Sequence, residues 1–173
     1  HCLCCIAHSG PIFHMVAAAI DQGIPKLAAA GVLGLSGGAS AIGRIGSGVL
    51  ADRFGARRTL IACLAFQALT IVLYAGAANL AAFNALAVAF GIGYGAVMPL
   101  YAVVAREQFG DQVIGTAYGG IFMISAVGMG LGSQLGGWIF DWTGQYLGLY
   151  VASAALGALA IPLAVSFPAA RRP

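Results

Sequence analysis

A chain of 173 residues that is 61% hydrophobic and 8% charged, with mean hydropathy +0.94, is not an ordinary soluble domain. Such domains carry about a quarter charged residues. The net charge of +3 comes from residues scattered over short loops rather than one continuous face, which argues against a nucleic-acid partner and reports membrane topology instead.

Apolar runs of about 20 residues, the length that crosses a hydrocarbon core of roughly 30 Å, predict an all-α membrane protein of six transmembrane helices in a single bundle. The spans are 2–20, 27–51, 59–77, 80–105, 113–140 and 147–167. The first contains Pro11, where a kink is expected, and His14. His1 leads straight into that run, so the chain reads as a fragment without its native start, and no signal peptide is assigned. Asp21 to Lys26, with Gly23 and Pro25, breaks the pattern as a loop. The second run leads into the charged block Gly48-Val49-Leu50-Ala51-Asp52-Arg53-Phe54-Gly55-Ala56-Arg57-Arg58, which reads as a turn between two membrane helices. There Gly48 lets helices approach, Asp52 suits a neighbouring helix N-terminus, and Gly55 permits a tight reversal.

Ala78-Asn79 is the turn before the fourth run, in which Ala87, Gly91 and Gly95 recur every four residues as a close-packing face. The fifth run carries Gly115 and Gly119, then Gly128, Gly132 and Gly136, expected to form one tightly packed face. Asp141-Trp142-Thr143-Gly144 makes the next turn with an interfacial tryptophan. Glycine clusters such as Gly91-x-Gly93-x-Gly95 lie inside an apolar helix with no preceding strand, so they are packing elements and no dinucleotide site is assigned. Cys2-x-Cys4-Cys5 does not have zinc-ligand spacing, and Cys2, Cys4, Cys5 and Cys63 are expected as free thiols in spans. Neither a metal nor a cofactor is called for.

Arg53, Arg57, Arg58, Arg106, Arg171 and Arg172 fall on one side of the alternating spans and Lys26 alone on the other, so the basic side, with the C-terminus, is expected in the cytoplasm. The eighth basic residue, Arg44, lies inside a span. At 100° per residue it shares a face with Gly37, Ser40, Ser47, Gly48 and Ala51, opposite Leu35, Ile42 and Val49, so it is expected to face a small, polar interior. The other readings are an arginine snorkelling to the surface or paired with a carboxylate outside this chain. His14 has two readings, a proton carrier or substrate ligand and a histidine bonded to a neighbouring helix. Tyr94, Tyr101, Tyr118, Asn84 and Gln134 either line a central cavity or join helices.

The loop block closely resembles the loop signature of the major facilitator superfamily. The run Ser9 to His14, the stretch Gly91 to Tyr101 and the segment Gly128 to Gly144 resemble the C-terminal half of its monocarboxylate-type members, which are similar to oxalate and formate carriers. The resemblance implies one six-helix half of a twelve-helix carrier, an inverted three-plus-three repeat whose N-terminal half is absent from this chain. It implies secondary transport of a small organic anion by alternating access, with a coupling proton or exchanged anion, in an inner or plasma membrane. It makes Arg44 the ligand of a substrate carboxylate, with His14, Tyr94, Tyr101, Tyr118 and Gln134 as further binding candidates. Gly48, Asp52, Arg53, Gly55, Arg57, Arg58 and Glu107 become a gating motif in which Arg53 or Arg57 pairs with Glu107. Helices three and six resemble the peripheral helices of the family, which weakens Gln67 and Tyr74 as site residues. Two places depart from the pattern: Ala56 stands where many members are basic, and Ser40 where animal members carry an aspartate four residues before the arginine. The alternatives to a carrier are a membrane-embedded enzyme, a six-helix channel and a noncatalytic membrane subunit. The chain is not expected to be an enzyme.

Overall fold

The computed structural model describes residues 1–167; Arg171 and Arg172 lie outside them. The described residues form six helices: α1 (Cys2–Asp21), α2 (Lys26–Phe54), α3 (Ala56–Tyr74), α4 (Leu80–Phe109), α5 (Ile114–Thr143) and α6 (Leu147–Ser166). Each is long and apolar enough to cross a membrane. Pro11, Pro99 and Pro162 sit inside α1, α4 and α6. The turn before α4 is longer than a two-residue reading allows. α3 ends at Tyr74, and Asn79 caps α4 by accepting a hydrogen bond from the Ala82 N–H at 2.9 Å.

Three helix pairs organise the bundle: α2 with α4, α1 with α5, and α3 with α6. Ser36 and Ser40 of α2 meet Gly91 and Gly95 of α4 in the same order, so that pair is parallel. Ile6 and His14 of α1 meet Gly132 and Gly136 of α5, also in parallel. α3 also packs on α4, and α6 on α1. Exchanging α1–α3 with α4–α6 maps this contact pattern onto itself, as an inverted three-plus-three repeat requires.

Small residues make the parallel pairs possible. A Cβ at Gly91 would strike the Ser36 carbonyl, one at Gly95 the Ser40 carbonyl, and one at Gly43 the Ile92 carbonyl. The four-residue spacing in α4 therefore does form a packing face. In α5 only part of the expected face packs: Gly128, Gly132 and Gly136 lie against α1, whereas a Cβ at Gly115 or Gly119 would meet nothing within 4 Å among the described residues. They stand two and more turns beyond the point where α1 begins to cover the helix. Several serine and threonine hydroxyls donate to carbonyls of their own helices, as in Ser40 to Gly37 at 2.7 Å and Thr70 to Phe66 at 2.8 Å.

Two faces remain uncovered. α5 buries only Ser125, Gly128, Gly132 and Gly136, and leaves Phe122, Met123, Val127, Leu131 and Trp138 exposed. α2 buries a stripe from Ala29 to Ser47 and exposes the rest.

Candidate functional site

The stripe that glues α2 to α4 fixes where Arg44 stands. Ser36, Ser40, Gly43 and Ser47 are buried against α4, and Arg44, adjacent to Gly43, is turned off that stripe and exposed. The expected shared face thus splits. Ser40 and Ser47 go into the helix contact, while Arg44, Gly37 and Gly48 lie on the uncovered side. Ser47 reaches back to the Arg44 carbonyl at 3.0 Å, and the Arg44 guanidinium has no hydrogen-bond or ion-pair partner among the described residues. A Cβ added at Gly48 would meet nothing within 4 Å, so among the described residues Gly48 supports no close helix contact.

His14 is half-buried between α1 and α5. Its Nε2 lies 3.1 Å from the Ser133 carbonyl, an acceptor only, so that nitrogen carries the hydrogen and donates. The ring also packs on Gly136 and lies 5.7 Å from Tyr146. The hydrogen bond joins α1 to α5. Gln134 is exposed on α5, next to that contact, and Tyr118 is half-buried near the start of the same helix. Tyr101 is buried with its ring 4.2 Å from His1. Tyr94 is half-buried and lies edge-on to His8 at 4.9 Å. Asn84 is half-buried on α4.

Sequence reasoning passed over His8, which is fully buried where α1, α3 and α4 meet. Its Nδ1 stands 3.9 Å from Cys4 Sγ, and the Cys4 thiol donates to Gln67 Oε1 at 3.5 Å. His8 Nε2 and Gln67 Nε2 have no partner among the described residues. The available signal was the four-residue step from Cys4 to His8, which puts both on one helix face. Gln67, set aside as peripheral, is 3% exposed and belongs to this cluster.

At the other end of α2, Gly55 takes φ +89°, the left-handed region that its reversal between α2 and α3 requires. Asp52, Arg53 and Arg58 are exposed there. The expected Arg53 or Arg57 pairing with Glu107 is not formed. Arg57 instead donates through Nε to the Ala164 carbonyl at 3.4 Å and through Nη2 to the Val165 carbonyl. A cation thus closes the C-terminal end of α6, where free carbonyls and the helix dipole favour it. Beside Glu107 the ion pair is Arg106 with Asp111, at 2.5 and 3.3 Å. The Arg106 guanidinium holds the Asp111 carboxyl below the usual carboxylate range. Arg53, Arg57, Arg58 and Arg106 all lie at this end, and Lys26 at the opposite end.

The sequence profile described as Major Facilitator Superfamily matches residues 2–173. The chain belongs to the major facilitator superfamily. Its six helices are half of that fold. Monocarboxylate transporter 13 of Rattus norvegicus is 32% identical over 147 residues, which cover 84% of this chain and 34% of that protein. The protein of the same name from Bos taurus is 31% identical with the same coverage. Monocarboxylate transporter 12-B of Danio rerio is 28% identical over 150 residues, 83% of this chain and 31% of its own length. The chain thus spans about a third of the curated relatives it matches. Membership in this superfamily and six apolar spans make it an integral multi-pass membrane protein.

Proposed function

We propose that this chain supplies the C-terminal half of a secondary transporter that moves a small organic anion, monocarboxylate in type, by alternating access. The observation that carries the reading is Arg44: a guanidinium ten residues before the end of a 29-residue apolar helix, exposed and unpaired among the described residues. An arginine in a bilayer costs roughly 2.5 to 3.5 kcal/mol on insertion scales, so it stands where an anion or a cavity compensates it. A planar fork meets a carboxylate with two parallel hydrogen bonds. The names of the relatives support a monocarboxylate as the anion. The uncovered faces of α2 and α5 fit a second six-helix half closing over Arg44, with Asp52 and Arg53 facing its helix ends. A proton or a counter-anion supplies the coupling. Uptake into vesicles holding the natural protein tests the reading. A small monocarboxylate should show saturable, trans-stimulated flux, and its uncharged amide should not compete. Equal competition by the amide, or flux that never saturates, refutes it.

The same reading places the protein in an inner or plasma membrane with the arginine-rich end in the cytoplasm, supported by the positive-inside rule. Single cysteines at positions 57 and 141 test this in intact cells against a cysteine-free background. An impermeant outside reagent should label position 141 and spare position 57. The reverse pattern inverts the topology.

A further inference from the structure

Arg57 and Arg58 stand in the first turn of α3, and the fold treats them differently. Arg57 donates through Nε to the Ala164 carbonyl at 3.4 Å and through Nη2 to the Val165 carbonyl, so its charge is committed to the end of α6. Arg58 is exposed and has no hydrogen-bond or ion-pair partner among the described residues. The place is a poor one for a lone cation. α3 has no acidic residue in its first turn and no side-chain cap, so Arg58 stands at the positive pole of the helix with nothing there to offset it. Asp52 is the one carboxylate of this turn against Arg53, Arg57 and Arg58, and it forms no ion pair with them among the described residues.

The helix face behind Arg58 is apolar. Arg58, Ala62, Ala65, Leu69 and Val72 follow one another at steps of four and three, which puts them on one side of α3, and all are exposed. The side that carries Leu60, Leu64, Gln67 and Ile71 is buried instead. Phe66 flanks the open stripe, 42% exposed, with its ring edge beside Gly93 of α4. No charged residue occurs between Arg58 and the end of the helix. From Arg58 to Leu69 the helix rises about 16 Å. One leaflet has that depth, half of a hydrocarbon core of roughly 30 Å.

We propose that this face of α3 binds one anionic phospholipid, its phosphate on the Arg58 guanidinium and an acyl chain along Ala62, Ala65 and Leu69. The guanidinium fork meets two phosphate oxygens with parallel hydrogen bonds. A choline lipid offers the same phosphate and chains but brings its own cation beside them, so the site prefers the anionic lipid. A free phosphate ester would leave the apolar stripe uncovered, which makes the lipid the occupant. The site lies on a different helix from Arg44 and does not depend on the anion-transport reading of that residue.

Native mass spectrometry of the purified natural protein, released from a neutral detergent, tests the site by counting bound lipids. The probes are phosphatidylglycerol and phosphatidylcholine with identical acyl chains, and glycerol phosphate as a head group without chains. At equal mole fractions phosphatidylglycerol should be retained about fivefold more tightly, the weight of one basic residue at a membrane surface. Arg58→Gln should bring the two lipids to within about twofold of each other, and Arg58→Lys, which keeps the charge, should retain most of the preference. Arg53→Gln should leave it unchanged. The variants should melt with the parent, because both arginines are exposed and without partners among the described residues. Equal retention of the two lipids, a preference undiminished in Arg58→Gln, an equal loss in Arg53→Gln, or displacement of the lipid by glycerol phosphate at matched concentration overturns the proposal.

Discussion

Replacing Gly95 by alanine will destabilise the protein by about 3 kcal/mol, the upper part of the range for overpacking a tight helix contact. The added Cβ meets the carbonyl oxygen of Ser40, which is backbone and cannot rotate away. Only separation of α2 from α4 relieves it, and that separation opens the buried stripe from Ser36 to Ser47. Trimming the neighbouring side chain with Ser40→Gly will therefore not rescue the variant. Gly136→Ala differs in kind: its Cβ would touch the His14 ring at 2.7 Å, so His14→Ala should restore much of the loss. Gly119→Ala, with nothing within 4 Å, should fall within about 0.5 kcal/mol of the parent or gain slightly from helix propensity. Thermal or denaturant unfolding in detergent measures all three. A Gly95→Ala protein as stable as the parent would show that α2 and α4 do not meet at this point.

The second large effect falls on transport. Arg44→Gln in the natural protein should raise the KM for an anionic substrate about 30-fold or more, the weight of a charged, two-pronged hydrogen bond. Arg44→Lys keeps the charge but not the fork, and should recover only part of that affinity. The Arg44 side chain is exposed and has no partner among the described residues, so both variants should unfold within about 0.5 kcal/mol of the parent. That separation makes the test clean, because a loss of uptake cannot be charged to a damaged fold. Parent-like KM in both variants would remove Arg44 as the carboxylate ligand.

How much of this was legible in advance depended on the range of the interaction. The six helices follow from apolar runs, a property of each segment alone, and Gly91 with Gly95 declared a packing face through spacing within one helix. Spacing could not say what stands opposite. Gly115 and Gly119 have the same four-residue step as Gly128 and Gly132, yet α1 covers only the second pair. Arg57 was legible as a loop cation, but its acceptors are 107 and 108 residues away on α6, and only the antiparallel seating of α3 on α6 brings them within reach. Arg44 fell between the cases. Its face came out as small and polar, but the structure divides that face between the α4 contact and the open side. His8 left no trace beyond one step from Cys4, since a lone histidine in an apolar run does not announce a cluster completed by Gln67 and Tyr94.

The parallel pairing of α2 with α4 and of α1 with α5 has a consequence for biosynthesis. Neither partner is next in line along the chain, so when α2 leaves the ribosome its serine and glycine stripe has nothing to dock on until α3 has crossed back and α4 has followed. At roughly 5–20 residues per second that wait lasts several seconds. α1 waits longer still, until α5 emerges. During the interval the small-residue stripes of α1 and α2 stand without the helices that cover them in the finished bundle.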